Sequence, residues 1–239
     1  VLVDVTAGDT SDILMAAVAH GMDLVLANKR PLAEGEQDDW APRANGDGKA
    51  STRKGTPARG VMAAAAQRGR RVLHEATVGA GLPVIDTVRK LRESGDTVLR
   101  IEGCPSGTLG FLFAELGRGR RFSDALRDAM ARGYTEPDPR DDLSGQDVAR
   151  KAVILARLIG WKGELGKVAV ESLVPSALQS VPLEAFLARV EEMDEPWRRR
   201  VEEARARGAV LRYRADVSTR EARVGIAEVD LASPFASLS

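Results

Sequence analysis

The sequence predicts an α/β protein with a parallel sheet followed by an α+β part that contains a mixed sheet. Within the first 80 residues, three short runs rich in Val and Leu alternate with two stretches of helical spacing. Such alternation is typical of parallel strands joined by helices. Near the end of the chain, two runs of alternating polar and apolar residues follow each other closely. They indicate a hairpin in a sheet with one open face.

The first part, residues 1–80, is predicted to be a partial Rossmann-like domain. Its strands are predicted at 1–5, 23–27 and 71–78. Its helices are predicted at 10–20 and 62–70, from the spacing of their apolar residues. The segment 28–33, "NKRPLA", is expected to be a polar loop. Parallel sheets of this kind bind ligands at the carboxyl ends of their strands.

The second part, residues 81–239, is predicted to contain more helix than strand. Helices are expected after Pro83, after Ser106, from an N-cap at Ser123, over 145–159 and, as one long helix, over 183–208. Strands are expected within 97–105 and 166–175, and as a hairpin over 210–229. These strands predict a mixed sheet.

Residues 41–60 interrupt this pattern. They have no apolar periodicity and are rich in Gly, Pro, Arg and Lys, which predicts a disordered insertion. A structureless loop of this length is uncommon inside a compact domain. It is either a lineage-specific insertion or retained non-coding sequence, and we assign it no function. The chain begins without methionine inside a predicted strand and ends in mid-pattern. We therefore expect a fragment of a longer protein that lacks sequence at both ends.

Composition argues against several classes of protein. There are 35 basic and 35 acidic residues, so no basic excess favours nucleic acid as a partner. The single cysteine, Cys104, excludes an internal disulfide and a thiolate metal cluster, and fits a reducing, cytoplasmic compartment. Two histidines argue against a histidine-rich metal site. No apolar run approaches the roughly 20 residues that cross a bilayer.

The most unusual stretch is "GYTEPDPRDDLSGQDVARKAVILAR", residues 133–157. Ser144 and Asp147 are spaced as a capping-box-like pair, and Asp147 and Lys151 share a helix face. One interpretation is a surface ion pair worth about 0.3–0.5 kcal/mol. The other is a proton-transfer site. In that case Lys151, among apolar residues, would be desolvated with a lowered pKa, and Glu136 would approach from the preceding loop.

Three further motifs have both a structural and a functional interpretation. Thr6, Asn28 and Lys29 follow predicted strands, so they form either ordinary turns or part of a ligand-binding edge. Glu75, followed by a glycine-rich turn, either belongs to a tight strand-to-helix connection or binds a hard cation together with backbone carbonyls. Ser106 either caps the next helix or binds an anion at its N-terminus.

Five motifs stand out as a set: "VDVTA", "LANKRPLA", "EATVGAGLPVI", "GCPSGTLGFLF" and "GYTEPDPRDDLSGQDVARK". Taken together, they resemble the motifs of homoserine dehydrogenases. Their order and spacing are similar to the family's, and the resemblance covers the whole chain apart from 41–60. The last 30 residues most resemble the dehydrogenase half of bifunctional aspartokinase–homoserine dehydrogenases.

The resemblance implies NAD(P)-dependent interconversion of L-homoserine and L-aspartate 4-semialdehyde, in the biosynthesis of threonine, methionine and isoleucine. It implies that residues 81–239 form the catalytic and oligomerisation domain of a homodimer or homotetramer.

The implied catalytic residues are Lys151, as acid and base, and Lys29. The implied substrate-binding residues are Glu136, Asp147 and Asp142. The implied cofactor contacts, to NADP or NAD, are Thr6, Asn28, Lys29 and Ser106. The implied ligands of a monovalent cation, Na⁺ or K⁺, are Glu75, Val78, Ala80 and Leu82.

The chain departs from the family pattern, because the family's opening strand, its phosphate loop and its C-terminal return into the nucleotide domain are missing from it, and the insertion 41–60 closely follows Lys29. It contains no GxGxxG motif, so the phosphate loop that the family uses is absent from these 239 residues. An inactive truncated fragment, or an oligomerisation module of such an enzyme, is therefore an alternative. A second alternative is a different semialdehyde dehydrogenase. The one that acts on aspartate semialdehyde needs a nucleophilic cysteine, and the sequence around Cys104 suggests no histidine partner for it.

Overall fold

The computed structural model of the protein describes residues 1–34 and 60–238. The predicted insertion, 41–60, lies outside the described residues except for its last position. The chain divides into two compact units. The first comprises Val1–Ile101, Ala149–Val168 and Asp216–Arg223. The second comprises Glu102–Val148, Ala169–Ala215 and Val224–Ser239.

The first unit contains the predicted parallel sheet. Its strands are β1 (Leu2–Asp4), β2 (Leu24–Leu26) and β3 (Val72–Leu73), in that order across the sheet. Both strand pairs are parallel, which confirms the α/β class. Its first helices are α1 (Ser11–Ala19), α2 (Arg30–Ala33), α3 (Val61–Gln67) and α4 (Val84–Glu93).

Two local expectations for this unit were wrong. "NKRPLA" is not entirely a loop, because it contains the single-turn helix α2. Pro31 lies in its first turn, where a missing N–H costs nothing and the fixed φ favours the helix. Strand β3 is also shorter than predicted. After Leu73 the chain forms a 3-10 turn, Glu75–Thr77, and the Thr77 hydroxyl donates to the His74 carbonyl at 2.6 Å.

The parallel sheet is covered unequally on its two faces. Leu24, Leu26 and Val72 are buried. On the opposite face, Val25 pairs in register with Val3 on one neighbouring strand and with Leu73 on the other. Val3 is 61% exposed and Leu73 is 52% exposed. Parallel sheets usually carry helices on both faces. Among residues 1–34 and 60–238, the face of the sheet that carries Val3 and Leu73 is therefore not covered.

The second sheet has four strands, and most of their residues belong to the second unit. Its strands are β4 (Arg100–Gly103), β5 (Ala169–Val170), β6 (Ala209–Ser218) and β7 (Ala222–Asp230). Their order is β4-β6-β7-β5, so the predicted hairpin β6–β7 forms the centre of the sheet. The remaining helices are α5 (Gly107–Gly117), α6 (Phe122–Ala131), α7 (Pro139–Leu143), α8 (Gln146–Leu158), α9 (Ser176–Gln179), α10 (Leu183–Arg189) and α11 (Asp194–Ala206).

Aromatic side chains join three of these helices. Trp197 of α11 meets Phe113 of α5 edge to face, with ring centroids 5.5 Å apart. Its ring also stacks on Phe122 of α6 at 5.6 Å. All three side chains are buried. Such pairs add about 0.5–1.5 kcal/mol each to the burial of their apolar area, so this cluster is a main source of stability for the second unit.

The same helices correct two predictions. Ser123 does not cap α6 but lies inside its first turn, where its N–H and hydroxyl donate to the Asp194 carboxylate at 2.7 and 2.8 Å. The segment 183–208 is not one helix. A 3-10 turn, Val190–Met193, separates α10 from α11. Pro196 explains the break, because proline is tolerated in the first turn of a helix and disrupts its interior.

Candidate active site

At the carboxyl end of β1, the buried carboxylate of Asp4 organises the loop that follows. Oδ1 accepts hydrogen bonds from the Thr6 N–H and hydroxyl, at 2.9 and 2.8 Å. Oδ2 accepts from the Thr10 hydroxyl at 2.5 Å and from Nδ2 of Asn28 at 3.0 Å. Burial alone would raise the pKa of Asp4, but these donors outweigh it and lower the pKa. Asp4 therefore remains ionised and fixes the edge of the sheet.

This network brings together two of the predicted cofactor contacts. Nδ2 of Asn28 lies 3.3 Å from the Thr6 hydroxyl and 2.8 Å from the Gly8 carbonyl, while its Oδ1 accepts from the Arg30 N–H. The Asn28 side chain is thus buried and engaged in holding two loops together. Thr6 is exposed, and Lys29, next to Asn28, is half-buried.

Asp4 was not among the predicted site residues. The available signal was an aspartate at the end of an apolar strand, directly before the threonine that had been singled out. A carboxylate at that position can be buried only if neighbouring donors satisfy it.

In the second unit, the acidic loop is built around the half-buried Asp142. Its Oδ2 accepts from the Glu136 N–H at 2.8 Å, and its Oδ1 lies 3.0 Å from the Thr108 hydroxyl. That hydroxyl also lies 2.6 Å from the Tyr134 carbonyl. These contacts fix the backbone at Glu136, whose side chain is exposed.

The Thr108 hydroxyl has one proton and faces two acceptors when Asp142 is ionised. The arrangement is fully satisfied only if Asp142 can itself donate. In agreement with this, burial raises the pKa of Asp142. The charges of Asp147 and Asp141 raise this pKa further, whereas the Glu136 N–H and the Thr108 hydroxyl oppose the shift. The loop therefore holds acidic groups in positions that disfavour ionisation of its central member.

A glycine connects this loop to α8. Gly145 has φ +73° and is buried. A Cβ at this position would lie 1.9 Å from the Tyr213 hydroxyl oxygen and 3.3 Å from Val170. The Tyr213 side chain is itself fixed, because its hydroxyl donates to the Glu171 carbonyl at 2.7 Å. The glycine of "DLSG" is therefore required both by its backbone conformation and by the close approach of a buried tyrosine.

Two motif residues without an assigned role stabilise the loop from the other side. Asp138 caps α7 by accepting from the Arg140 N–H, and it pairs with the Arg140 guanidinium at 2.6 Å. The same guanidinium donates to the Val181 carbonyl at 2.5 Å. A proline-flanked Asp-x-Arg sequence gives no indication of so distant a partner, so this contact could not be predicted.

Asp147 and Lys151 lie one turn apart on α8, as their spacing predicted. Both are half-buried, and after Lys151 every residue from Ala152 to Ile159 is buried. The capping-box expectation was wrong. The Ser144 hydroxyl oxygen does accept from the Gln146 N–H, but the Ser144 N–H donates to the Arg140 carbonyl and closes α7. The Asp147 side chain is therefore not the partner of that N–H.

Glu75 has a structural role that its sequence position did not reveal. Its two carboxylate oxygens accept from the N–H groups of Ile85 and Asp86, at 2.8 and 2.9 Å, in the first turn of α4. Between Glu75 and α4 the chain turns through Gly79 (φ +84°) and Ala80 (φ +52°). The Leu82 carbonyl accepts from the Val84 N–H. Among the described residues, no group of three or more His, Cys, Asp or Glu side chains could hold a metal.

Ser106 and Cys104 precede α5. The Ser106 hydroxyl oxygen accepts from the Leu109 N–H at 3.2 Å, which makes Ser106 the N-cap of that helix. The Cys104 side chain is half-buried, and burial raises the pKa of its thiol. A protonated thiol is a poor nucleophile, so the site lacks the reactive cysteine that the alternative semialdehyde chemistry needs.

The described residues define an α/β protein with a parallel sheet whose edge carries polar side chains, an acidic loop and a helix that bears a lysine. The sequence profile of the homoserine dehydrogenase family matches residues 83–239. The chain belongs to that family, which confirms the resemblance found in its motifs.

Individual relatives agree with this assignment. The bifunctional aspartokinase/homoserine dehydrogenase 2 of Escherichia coli is 42% identical over 240 residues, which cover all of this chain and 27% of the relative. The homoserine dehydrogenase of Emericella nidulans is 45% identical over 191 residues, which cover 74% of this chain and 52% of the relative. A Candida auris protein of unknown function, whose crystal structure has been solved, superposes with a TM-score of 0.83 at 36% identity, and the match covers 100% of this chain and 64% of that protein.

Replacement of Gly145 by alanine tests the turn into α8. We expect Gly145→Ala to lower the free energy of unfolding by roughly 2–4 kcal/mol, from left-handed backbone strain plus the clash with Tyr213. Gly133 is the matched control, because it has φ +69° but open space where a Cβ would stand. Gly133→Ala should show only the strain, about 1–2 kcal/mol. Equal losses in denaturant titrations of the two variants would contradict the close approach.

Replacement of Asp142 by asparagine tests its raised pKa. Below its unfolded pKa of about 3.9, Asp142 is neutral in both states and the wild type has no penalty. As the pH rises through the higher folded pKa, ionisation destabilises the wild type but not Asp142→Asn. The asparagine amide can also donate to Thr108 while its oxygen accepts from Glu136. We expect the Tm of this variant, relative to wild type, to be higher at pH 7 than at pH 4.

The comparison variant is Asp141→Asn, which removes an exposed neighbouring charge that raises the pKa of Asp142. Its Tm relative to wild type should change with pH in the same direction as that of Asp142→Asn but by less, because the Asp142 carboxylate is still present. If Asp142→Asn lost stability relative to wild type as the pH rose, the sign of the Asp142 shift would be wrong.

Proposed function

We propose that the protein catalyses the NAD(P)-dependent interconversion of L-homoserine and L-aspartate 4-semialdehyde. The observation that carries this proposal is the loop-to-helix motif itself. Asp142 fixes the backbone of Glu136, and Gly145 turns the chain directly into the helix that bears Asp147 and Lys151. Membership of the family supports the same activity.

In this proposal the acidic residues bind and orient the substrate. Glu136 and Asp147 bind the ammonium group of homoserine, and Asp142 lies beside them. A carboxylate fixed through its backbone loses little conformational freedom when it binds, so the substrate is held in one orientation. The hydrogen bond from the Glu136 N–H to Asp142 provides that restraint.

The proton is moved by Lys151. In the oxidation direction its neutral amine accepts the hydroxyl proton of homoserine, so that the oxygen becomes the aldehyde carbonyl. In the reduction direction its ammonium form returns that proton to the developing alkoxide. Lys29 places a second positive charge near the reacting oxygen and the cofactor. The chemistry that a bound nicotinamide supplies is the uptake of a hydride, with its electron pair, from the alcohol carbon and its return in the reverse direction.

The sheet edge of the first unit fits a nucleotide cofactor. The exposed Thr6, the loop fixed by Asp4 and the half-buried Lys29 would contact it at the carboxyl ends of β1 and β2. Asn28 would act by holding that loop, since its amide is engaged there. Ser106 would donate a hydrogen bond to the cofactor from its hydroxyl group. A hyperthermophilic archaeal homoserine dehydrogenase of the same fold has been solved in complex with NADPH.

A monovalent cation is a further part of the proposal. Glu75 and the carbonyls of Val78, Ala80 and Leu82 would hold Na⁺ or K⁺ in the turn before α4. An all-oxygen donor set suits a hard cation. The left-handed backbone at Gly79 and Ala80 supports a turn with closely spaced carbonyls. Because Glu75 also caps α4, the cation would stabilise the start of that helix.

The wider setting is proposed from the family and from composition. We propose a homodimer or homotetramer, formed through residues 81–239, in the reducing environment of the cytoplasm. The half-buried thiol of the chain's single cysteine supports such a compartment. In the part of the chain that the structure describes, no helix has the length and apolar character to cross a bilayer.

The role of Lys151 can be tested in the full-length protein with homoserine and NADP⁺. We expect Lys151→Met to lower kcat by about 10²–10⁴-fold with homoserine still bound, because a positioned acid–base group contributes that much. The control is Lys90→Met, which removes an exposed lysine paired with Asp86 at 2.6 Å. A near-normal kcat for Lys151→Met in a folded enzyme would contradict the assignment.

A further inference from the structure

Helix α8 carries two arginines that reach the segment that bears Lys29. We propose that Arg157, assisted by Arg150, is a positioning residue that fixes the segment 28–34 against α8, and so fixes Lys29 relative to Lys151. All of these residues belong to the first unit. The inference rests on the proposed function, because it assigns catalytic roles to the two lysines.

The contact made by Arg157 is buried and direct. Its side chain is 3% exposed, and Nη1 donates to the Leu32 carbonyl at 2.7 Å, 125 positions away in the sequence. Nε and Nη2 both lie 3.4 Å from the Gly163 carbonyl. Burial lowers the pKa of the guanidinium to about 10. A buried guanidinium is energetically unfavourable unless its hydrogen bonds are made, so this arginine has a specific partner rather than a general packing role.

The segment 28–34, which contains the Leu32 carbonyl, is not stable without contacts to the rest of the protein. Helix α2 is four residues long, and so short a helix is not stable by itself. At its start, Oδ1 of Asn28 accepts from the Arg30 N–H at 3.1 Å. At its end, Arg157 binds the carbonyl of Leu32. Lys29 lies between these two anchors, so its backbone position depends on both.

Arg150, which lies on the same helix as Arg157, provides a second connection from α8 to the segment 28–34. Its Nε donates to Oε1 of Glu34 at 2.5 Å, directly after α2. The two side chains are only 20% and 32% exposed, so solvent screens this pair less than a surface pair. Arg150 is adjacent in sequence to Lys151, and Arg157 lies beyond it on the same helix. The two contacts therefore fix the Lys29 segment to the helix that bears the proton-transfer residue.

A third arginine provides a matched control. Nη1 of Arg92, in α4, donates to the Leu158 carbonyl at 2.6 Å, so it binds the same helix through the same kind of bond. This bond is to the C-terminal end of α8 and not to the segment 28–34. If Arg157 only stabilised α8, then loss of Arg92 and loss of Arg157 would have similar effects.

The experiment compares Arg157→Met, Arg157→Lys, Arg150→Met and Arg92→Met in the full-length protein. The readouts are kcat, the KM for homoserine and amide hydrogen exchange over residues 28–34. We expect Arg157→Met to lower kcat by about 10- to 100-fold, because small misplacements of reacting groups cost that much. The KM should stay within about twofold, since Glu136 and Asp147 still bind the substrate.

The other variants sharpen the test. Arg157→Lys should recover part of the kcat, because it keeps one charged donor. Arg150→Met, at a more accessible position, should lower kcat in the same direction and remains informative if Arg157→Met does not fold. Exchange over 28–34 should rise in the Arg157 and Arg150 variants but not in Arg92→Met.

Distinct outcomes separate this inference from the proposed function. A wild-type protein without homoserine oxidation would overturn the function, and the exchange of residues 28–34 would still test the anchoring. An active wild type in which Arg157→Met and Arg92→Met lose kcat equally would overturn the positioning role. So would unchanged exchange over 28–34 in a folded Arg157→Met or Arg150→Met variant.

Discussion

The hydrogen bonds received by the Asp142 carboxylate are the interaction on which the acidic loop depends. This side chain connects the start of α5, through Thr108, with the loop that carries Glu136. Because it lies next to Asp141 and near Asp147, it is held where its own ionisation is disfavoured. In the proposed function, the ammonium group of the substrate would relieve this cost. Without such a cation, ionisation of Asp142 would lower the stability of the loop.

The first unit uses a related arrangement with the opposite electrostatic result. Asp4 is also buried, but four donors keep its pKa low and its charge permanent. It fixes the loop after β1 and, through Asn28, the segment that leads to Lys29. In one unit a buried acid is satisfied by the protein and gives rigidity. In the other, the half-buried Asp142 is also hydrogen-bonded, but burial and the neighbouring acids raise its pKa.

The sequence was sufficient for the class of fold, because parallel strands and a hairpin follow from apolar periodicity alone. It also placed Asp147 and Lys151 on one helix face through their spacing. It was insufficient wherever a partner lies far along the chain. The Ser123 N–H donates to the Asp194 carboxylate, and the Arg157 guanidinium donates to the Leu32 carbonyl. Glu75 caps a helix ten residues further along the chain. A local capping pattern cannot reveal such contacts, and at Ser144 it suggested the wrong one.

The most direct test of the account follows the transferred hydrogen. The full-length protein would be incubated with NADP⁺ and with homoserine in which both hydrogens on the alcohol carbon are replaced by deuterium, and both products would be analysed by mass spectrometry. One deuterium should appear in the reduced nicotinamide and one should remain on the aldehyde carbon of aspartate semialdehyde. Reduced cofactor without deuterium, or no turnover by a folded protein that binds both ligands, would contradict it.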